Sequence, residues 1–334
     1  MRDLMQIGLL EVLACPKCRG RIVCRPRITD AEGDVVEGLL ACEPCRLEFR
    51  VARGIPRFVD DGNYAASFGY QWNLFRTEQI DSVNGTHLSA RRFFGETGWD
   101  ASWMKGKWIL DAGCGAGRFL DVAAGTGAHV VGFDVSTAID AAAQTVRGRR
   151  NVHLVQASIY DLPFKAGAFD GVYCIGVIQH TPDPDSALRS LPMPLKPGGR
   201  IALTAYERRR WWTGFHGKYL LRPLTRRVNK EALLRIIQVL MPVLFPLTEV
   251  LFRLPLVGRV FSFIIPVANY VNEPALSLQQ RYRWAVLDTF DMLSPVFDFP
   301  QMEENVRSTL GFAGVGEITR QTDSGLNLVG IKMP

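Results

Sequence analysis

The chain of 334 residues lacks a long uncharged apolar segment. Its longest charge-free apolar runs, Ile236–Thr248 and Val260–Asn272, have 13 residues each, whereas a membrane-spanning helix needs about 20. Four prolines between residues 242 and 266 interrupt the same region. No sustained apolar run precedes Cys15 either, as a secretory signal would require. The sequence therefore predicts neither a transmembrane helix nor a secretory signal.

The spacing of the cysteines does not indicate a disulfide framework either. Four of the seven cysteines form two Cys-x-x-Cys pairs, which is typical of metal binding in a reducing compartment. We therefore expect a cytoplasmic protein. Its 47% hydrophobic and 22% charged residues are ordinary for a soluble protein with a core. The net charge of +6 permits an anionic partner without requiring one.

The two cysteine pairs lie in residues 1–60, which we expect to form a zinc ribbon. A gap of 23 residues between the pairs is long enough for a hairpin that brings them together. Four thiolates then complete a closed tetrahedral site for structural zinc, with the ligands Cys15, Cys18, Cys42 and Cys45. The alternative is a pair of redox-active turns. Cys24 is expected to fill space in the ribbon.

A glycine-rich turn organises the rest of the chain. An apolar run that starts at Trp108 ends in Asp111, and Gly113, Gly115 and Gly117 follow at alternate positions. Glycines let the chain turn sharply and let a ligand approach the main chain. The helix that follows would direct its N-terminus at an anionic group. The order Asp-x-Gly-x-Gly-x-Gly differs from the Gly-x-Gly-x-x-Gly of dinucleotide sites.

Leu110–Phe119 resembles the first motif of class I S-adenosylmethionine-dependent methyltransferases, whose loop cradles the methionine end of the cofactor. Asp134 ends a second apolar run 17 residues after Gly117, where a carboxylate can accept both hydroxyls of a ribose. Leu195–Thr204 resembles a turn of the type-11 methyltransferase group. Strand and helix patterns alternate from residue 108, which predicts an α/β fold with a doubly wound, mostly parallel, Rossmann-like sheet.

The resemblance implies a set of cofactor-binding residues: Asp111, Gly113, Cys114, Gly115, Gly117, Asp134, Val135, Ser158, Ile159 and Ile175. Ser158 departs from the family, which commonly has an aspartate there to accept the adenine amino group. A hydroxyl is a weaker acceptor than a carboxylate. We expect Ile159 to offer a main-chain N–H and an apolar wall.

Residues 61–107 form an aromatic-rich helical bridge. They either pack the ribbon onto the main domain or cover the cofactor, in which case Arg91 or Arg92 would meet its carboxylate. His180 follows the fourth strand and is the candidate general base, because imidazole titrates near neutral pH. The alternative is that His180 shapes the loop, since a base is needed only if the acceptor must lose a proton.

The methyltransferase domain is predicted over residues 108–334, with a helical insertion at about 206–300 and a last helix and strand pair over 301–332. Insertions at this position commonly form a lid in the family. The insertion is either an apolar lid or, through 206–271, an element of a membrane surface. Asp288 and Asp291 lie three residues apart, on one face if helical, and would bind an acceptor or pair with nearby arginines.

We predict a methyltransferase that uses S-adenosylmethionine and structural zinc and acts on a small-molecule or lipid-linked acceptor, with peripheral membrane contact. One alternative is a ribosomal or transfer RNA base methyltransferase, in which the basic stretch 208–227 would bind phosphates. A DNA substrate is not expected. Another alternative is a non-catalytic adaptor of the same fold, which Ser158 alone favours.

Overall fold

A computed structural model describes residues 4–60, 62–208, 214–322 and 325–334. The first part contains a 3₁₀ helix at Ile7–Glu11 and the strands β1 (Ile22–Thr29), β2 (Val35–Cys42), β3 (Glu48–Ala52) and β4 (Ile55–Arg57). Short helices follow at α1 (Ala66–Leu74), α2 (Asp81–Asn84), α3 (Leu88–Thr97) and α4 (Ala101–Met104).

Strands and helices then alternate along the chain. They are β5 (Trp108–Ala112), α5 (Arg118–Gly125), β6 (His129–Asp134), α6 (Ala138–Thr145), β7 (Val152–Gln156), β8 (Phe169–Ile175), a 3₁₀ turn (Ile178–His180), α7 (Pro184–Ser190) and β9 (Leu195–Ala205). The remaining elements are α8 (Gly217–Thr225), α9 (Lys230–Leu251), α10 (Gly258–Ile264), α11 (Leu278–Leu293), α12 (Glu303–Phe312), β10 (Val315–Arg320) and β11 (Leu326–Lys332).

The described strands form one sheet in the order β1-β2-β3-β4-β7-β6-β5-β8-β9-β11-β10. The centre, from β4 to β9, is parallel, and both ends are antiparallel. Ala112 of β5 pairs with Phe133 of β6, so Gly113 and Asp134 leave the sheet side by side. Ligands bind at this carboxyl edge in open α/β sheets. The predicted final helix and strand pair are present as α12, β10 and β11.

Successive residues of the central strands point to opposite faces of the sheet, and each face has its own buried cluster. Leu110 belongs to the cluster that includes residues of α7 and α12, whereas Ile109 belongs to the cluster that includes residues of α3, α5 and α6. Strands buried on both faces are apolar at consecutive positions. This explains the continuous apolar runs of the sequence and confirms the predicted doubly wound fold.

The cysteine-bearing strands are joined to the central sheet at its β7 edge. Arg57 of β4 is opposite Gln156 of β7 in the parallel register, and the N–H of Phe58 donates to the Gln156 carbonyl at 2.8 Å. The buried Arg57 guanidinium donates to the Gln156 side chain and to Asp140, both at 2.7 Å. Residues from both segments share one buried cluster.

In the insertion, α9 continues through Pro242 and Pro246, so the expectation that these two prolines break the segment is wrong, whereas Pro255 and Pro266 lie outside α9 and α10, as expected. Pro242 and Pro246 are exposed, and so is Gln238, whose carbonyl loses its N–H partner at Pro242. A freed carbonyl on an exposed face keeps access to solvent, and the helix is retained. By length and composition, α9 is the one described helix that could cross a membrane, and 33% of its most apolar window is buried within the protein.

Candidate active site

The glycine loop after β5 forms a cradle without side chains. Gly113, Gly115 and Gly117 have φ angles of +82°, +52° and +86°, in the left-handed region that favours glycine. A Cβ on Gly113 would lie 2.5 Å from Val177 Cγ2, and one on Gly115 would lie 3.2 Å from Trp72 Nε1. Side chains at these two positions would collide with Val177 or press on Trp72, so packing as well as φ requires glycine, and all four residues line one cavity.

Asp134 is held rigidly beside this loop. One carboxylate oxygen accepts the N–H of Gly115 at 3.0 Å, and the other accepts the N–H and the hydroxyl of Ser136 at 2.8 and 2.7 Å. Burial raises the pKa of Asp134 above its usual value, and the hydrogen bonds from Ser136 and Gly115 oppose that shift. These three bonds leave about one of the four lone-pair sites of the carboxylate for a ribose hydroxyl.

A cavity of about 910 Å³ lies in front of the loop, within the range of about 300–1,000 Å³ that is usual for small-molecule and cofactor sites. Seven of the ten predicted cofactor-binding residues line this cavity: Gly113, Cys114, Gly115, Asp134, Val135, Ile159 and Ile175. His180 lines it as well. The structure thus brings together residues from the ends of β5, β6, β7 and β8.

Asp111, Gly117 and Ser158 are placed outside the cavity wall. Asp111 is buried in β5, and burial raises the pKa of its carboxyl well above the usual range, with a nearby Tyr173 hydroxyl opposing the shift. Gly117 packs against α6. The Ser158 hydroxyl accepts the N–H of Tyr160 at 3.2 Å and so closes a turn. Their roles in binding a cofactor stay predictions, and the wall at this point is Ile159.

The bridge segment contributes to the cavity as well as to packing. Arg91 and Arg92 of α3 both line the cavity. Arg91 forms an ion pair with Glu273 at 2.5 Å. Arg92 pairs with Glu96 at 2.9 Å, and its Nη2 atom lies 4.0 Å from the position of a Cβ on Gly176, directly after β8. Of the two arginines, Arg92 is therefore the one that reaches the edge of the central strands.

His180 lies in the 3₁₀ turn after β8 and is 6% exposed. Its Nδ1 is 3.1 Å from the carbonyl oxygen of Phe297, so the proton belongs on Nδ1 and the lone pair on Nε2. The ring packs against Phe68 and Tyr206, with centroids 5.0 and 5.5 Å away. Burial lowers the pKa of His180, and the nearby Asp291 opposes that effect. The imidazole is therefore neutral at pH 7.

Asp288 and Asp291 lie on one face of α11 and both line the cavity, as the spacing predicts. They do not pair with the neighbouring arginines, because Arg281 pairs with Glu249 and Arg283 with Glu78. Instead, Asp288 accepts hydrogen bonds from Gln79 and Tyr270, and Asp291 accepts one from Gln71. Burial raises the pKa of Asp288 to about 7. These acids are part of the contribution of α11 to the lining of the cavity, together with Trp284.

The four predicted metal ligands form one compact cluster. The Sγ atoms of Cys15, Cys18, Cys42 and Cys45 all lie within 4.8 Å of one another. The distances are 3.6 Å for Cys15–Cys45 and 3.4 Å for Cys18–Cys42, and a tetrahedral zinc ion with bonds of about 2.3 Å separates its sulfurs by about 3.8 Å. The donor set fits structural zinc, whereas two redox turns would not need to meet.

Both cysteine turns have the same conformation. Arg19 and Arg46, each directly after the second cysteine of a pair, have φ angles of +62° and +61°. Their N–H groups donate to the carbonyls of Cys15 and Cys42 at 2.9 and 3.1 Å. Cys24 lies outside the cluster and packs against the buried core, as expected.

Sequence reasoning missed several residues of the cavity wall. Arg118 begins α5, lines the cavity and donates to Gln79 Oε1 at 2.8 Å; burial lowers its pKa to about 9, which still leaves it charged at pH 7. Its place directly after the third glycine is a signal that could have been used. Trp72 and Tyr206 also line the cavity, but no spacing in the sequence marks them, since they lie far from the glycine loop along the chain.

The parallel core, the final antiparallel pair, the glycine cradle and the strand-end acid together define a class I methyltransferase fold. The comparisons with known proteins agree. Residues 110–203 match the family model described as a methyltransferase domain, and residues 7–54 match the one described as Trm112p-like protein. Residues 110–203 thus contain a methyltransferase domain and residues 7–54 a Trm112p-like zinc ribbon, which confirms the predicted family resemblance and fold class. The methyltransferase domain and the four-cysteine cluster agree with the two predicted cofactors, S-adenosylmethionine and structural zinc.

Individual relatives match parts of the chain. A ubiquinone biosynthesis O-methyltransferase of Marinobacter nauticus is 36% identical over 110 residues, 31% of this chain and 46% of that protein. O-methyltransferase resE of Aspergillus sclerotiorum is 27% identical over 213 residues, 60% of this chain and 76% of that protein. The structure of human N-acetylserotonin methyltransferase with SAM has 15% identity, covers 83% of this chain and 61% of that one, and has a TM-score of 0.44.

The chain spans only part of the curated relatives it matches. It covers 46% of the Marinobacter enzyme and 25% of an uncharacterized protein of Synechococcus that is 38% identical over 104 residues. The methyl acceptor is therefore inferred from the cavity.

Proposed function

We propose that this protein transfers a methyl group from S-adenosylmethionine to a small-molecule or lipid-linked acceptor in the cavity between the glycine loop and α11. The observation that carries the proposal is the composition of this single cavity. The glycine cradle and Asp134 line it together with Asp288, Asp291 and Tyr270 of the insertion. A cofactor and an acceptor held in one cavity can be aligned for an in-line displacement.

On the cofactor side, the chain supplies one partner for each part of the molecule. Asp134 would accept a ribose hydroxyl, and the cradle at Gly113 and Gly115 would hold the methionine end. Arg92 would pair with the methionine carboxylate, since its guanidinium reaches the end of β8. Ile159 would pack against the adenine. The bound cofactor supplies an electrophilic methyl group.

On the acceptor side, His180 would take a proton. Its Nδ1–H donates to the Phe297 carbonyl, and Nε2 keeps a lone pair that can accept a proton from an acceptor hydroxyl. Asp288 and Asp291 would accept hydrogen bonds from the acceptor's polar groups, exchanging those they now receive from Gln79 and Gln71. Names of relatives such as the ubiquinone biosynthesis O-methyltransferase favour an oxygen acceptor.

An RNA acceptor is the second candidate, favoured by the basic stretch 208–227. Part of this stretch lies outside the described residues, including Arg209 and Arg210. Of its described cations, Lys218 and Arg222 are buried beside Asp298, with nitrogen–oxygen distances of 2.9 and 3.8 Å. Lys218 and Arg222 are therefore not available to phosphates, which leaves Arg208, Arg226 and Arg227 as the exposed described cations of the stretch that could bind RNA.

The test is turnover of labelled S-adenosylmethionine with cell extract that has been separated into RNA, lipid and small-molecule fractions. We expect label in the lipid or small-molecule fraction and loss of that label with His180→Asn. Label in the RNA fraction alone would support the RNA candidate. Binding of S-adenosylhomocysteine without transfer to any fraction would leave only the adaptor alternative.

A further inference from the structure

The outward side of the insertion has an unusual concentration of exposed apolar side chains. Among the described residues, 14 of the 26 large apolar side chains that are exposed lie within residues 217–264. On α9, the exposed residues Val239, Val243, Leu247 and Val250 are 47–76% exposed and recur at intervals of three and four, so they form one stripe along the helix. Contiguous apolar surface of this kind marks an interaction site.

The same helix has a second, buried side. Leu233, Ile237 and Met241 are buried against Ala285 and Phe290 of α11. The stripe of exposed residues cannot be the core-facing side, and α9 cannot be surrounded by lipid on all sides without separating it from α11. Although α9 is long enough to span a bilayer, this packing restricts it to lying along a surface.

The net charge of this segment indicates which kind of partner it binds. Residues 217–264 contain eight lysines and arginines against two glutamates. Lys218 and Arg222 are buried beside Asp298, so the other six cations and the two glutamates leave the segment with a net charge of +4. Arg226, Arg227, Arg235 and Arg259 are all exposed beside the apolar side chains. A second copy of this chain would bring the same positive charge to the interface, and like charges repel. An anionic lipid surface instead complements both the charge and the apolar stripe.

The loop between α9 and α10 contains an exposed leucine in an unfavourable backbone conformation. Leu256 is 98% exposed, and its φ angle is +68°. The left-handed region disfavours a leucine on steric grounds, and full exposure in water removes the usual gain from burying its side chain. A leucine held in this way at the tip of an apolar loop is suited to entering the acyl region of a bilayer.

We propose that residues 217–264 form a docking surface for an anionic phospholipid bilayer, with α9 lying in the interface and Leu256 inserted. Because α11 contacts α9 on one side and lines the cavity with Asp288 and Asp291 on another, docking places the cavity one helix away from the lipid. The surface itself does not depend on methyl transfer, but its link to a lipid-linked acceptor rests on the proposed function.

The test is co-sedimentation of the full chain with vesicles of phosphatidylcholine alone and of phosphatidylcholine with phosphatidylglycerol at a ratio of about 3:1. We expect binding to the anionic vesicles, weakening as salt rises. Leu256→Ser combined with Val243→Ser should lower the partition coefficient at least tenfold, and so should Arg226→Gln combined with Arg227→Gln. Phe312→Ser is the matched control, because Phe312 is 89% exposed but lies on α12, outside the surface.

Several outcomes would overturn the proposal. They are absence of binding to anionic vesicles, equal loss with Phe312→Ser, binding that resists carbonate extraction, and a dimer in solution that the Val243→Ser change dissociates. The variants should keep the wild-type affinity for S-adenosylhomocysteine, measured by calorimetry on the same preparations. Failure of that binding in the wild type would count against the proposed function and not against docking, which has its own readout.

Discussion

Removal of the zinc ion should weaken cofactor binding, because the ribbon holds the segment that follows Ile159, the proposed adenine contact. The N–H of Ala14 donates to the Pro163 carbonyl, and the N–H of Lys165 donates to the Val12 carbonyl, both at 2.9 Å. Arg19 Nη1 donates to the Leu162 carbonyl at 2.6 Å. All three bonds fix residues 162–165, just after Ile159, and the donors and acceptors on the ribbon side lie next to Cys15 and Cys18.

The magnitude follows from these contacts. Each hydrogen bond contributes about 0.5–1.5 kcal/mol net, so the three together contribute about 1.5–4.5 kcal/mol to ordering this segment. If the ribbon unfolds without zinc, cofactor binding has to order the segment instead. Since about 1.4 kcal/mol corresponds to a tenfold change, the largest loss of affinity is about 10- to 1,600-fold. We expect a loss of at least tenfold. It should stay below the maximum, because part of the segment stays packed against the core.

The assay is calorimetry with S-adenosylhomocysteine on the full chain, on Cys42→Ser combined with Cys45→Ser, and on Cys24→Ser. Zinc content and hydrogen exchange at residues 159–165 are measured on the same samples. Cys24→Ser is the matched control, since Cys24 is outside the cluster. An affinity within twofold of wild type in a protein that has lost its zinc would refute the reasoning. If the double variant does not fold, a chelator titration of the native protein gives the same comparison.

Three further predictions concern single side chains. Asp134→Asn should lower the affinity for S-adenosylhomocysteine about 10- to 100-fold by calorimetry, because hydrogen bonds to a charged group contribute about 1.5–3 kcal/mol. His180→Asn keeps a donor for the Phe297 carbonyl but removes the Nε2 lone pair, so it should lower kcat about 100-fold or more and abolish the acid limb of the pH–rate profile. His153→Phe should flatten the pH dependence of the free energy of unfolding between pH 7.5 and 5. Burial and His129 lower the pKa of His153 to about 4, so stability is full above the unfolded pKa of about 6.5 and is lost as pH falls towards 4, by up to about 3 kcal/mol.

Each of the three has its own control. Asp185→Asn, the same change at an exposed carboxylate outside the cavity, should leave affinity nearly unchanged, and an equal loss in both variants would mean that the loss does not come from the cavity. Unchanged kcat in His180→Asn would show that His180 only positions the loop. His153 stacks on Trp108 with ring centroids 5.6 Å apart, which phenylalanine preserves, so an unchanged slope would mean that other groups control acid stability.

Local spacing in the sequence predicted the cradle and the strand-end acid correctly. Three glycines at alternate positions after an apolar run specify a turn whose φ angles only glycine adopts easily. An acid at the end of the next strand lies beside them because neighbouring parallel strands end at the same edge. The zinc cluster could be predicted from the sequence as well, because Cys-x-x-Cys turns present their thiolates locally.

Other features depended on contacts between distant parts of the chain. The pairing of Gln71 with Asp291 joins residues 220 positions apart, and that of Gln79 with Asp288 joins residues 209 apart. Sequence periodicity places both acids on one helix face but cannot say which face meets the cavity. The same holds for Ser158, where resemblance suggested an adenine contact and the structure uses its hydroxyl in a turn.

The sequence by itself determined the local chemistry of this protein: a glycine cradle, an acid at the end of the neighbouring strand, four thiolates for zinc, and a helical insertion between the fifth strand and the last helix. The tertiary structure decided how these parts meet. It joined the ribbon to the segment that follows Ile159, turned α11 towards the cavity and left the stripe on α9 exposed. The physical reason is that turns and strand ends follow from short-range sterics, whereas burial and exposure follow from packing between segments that only the complete fold brings together.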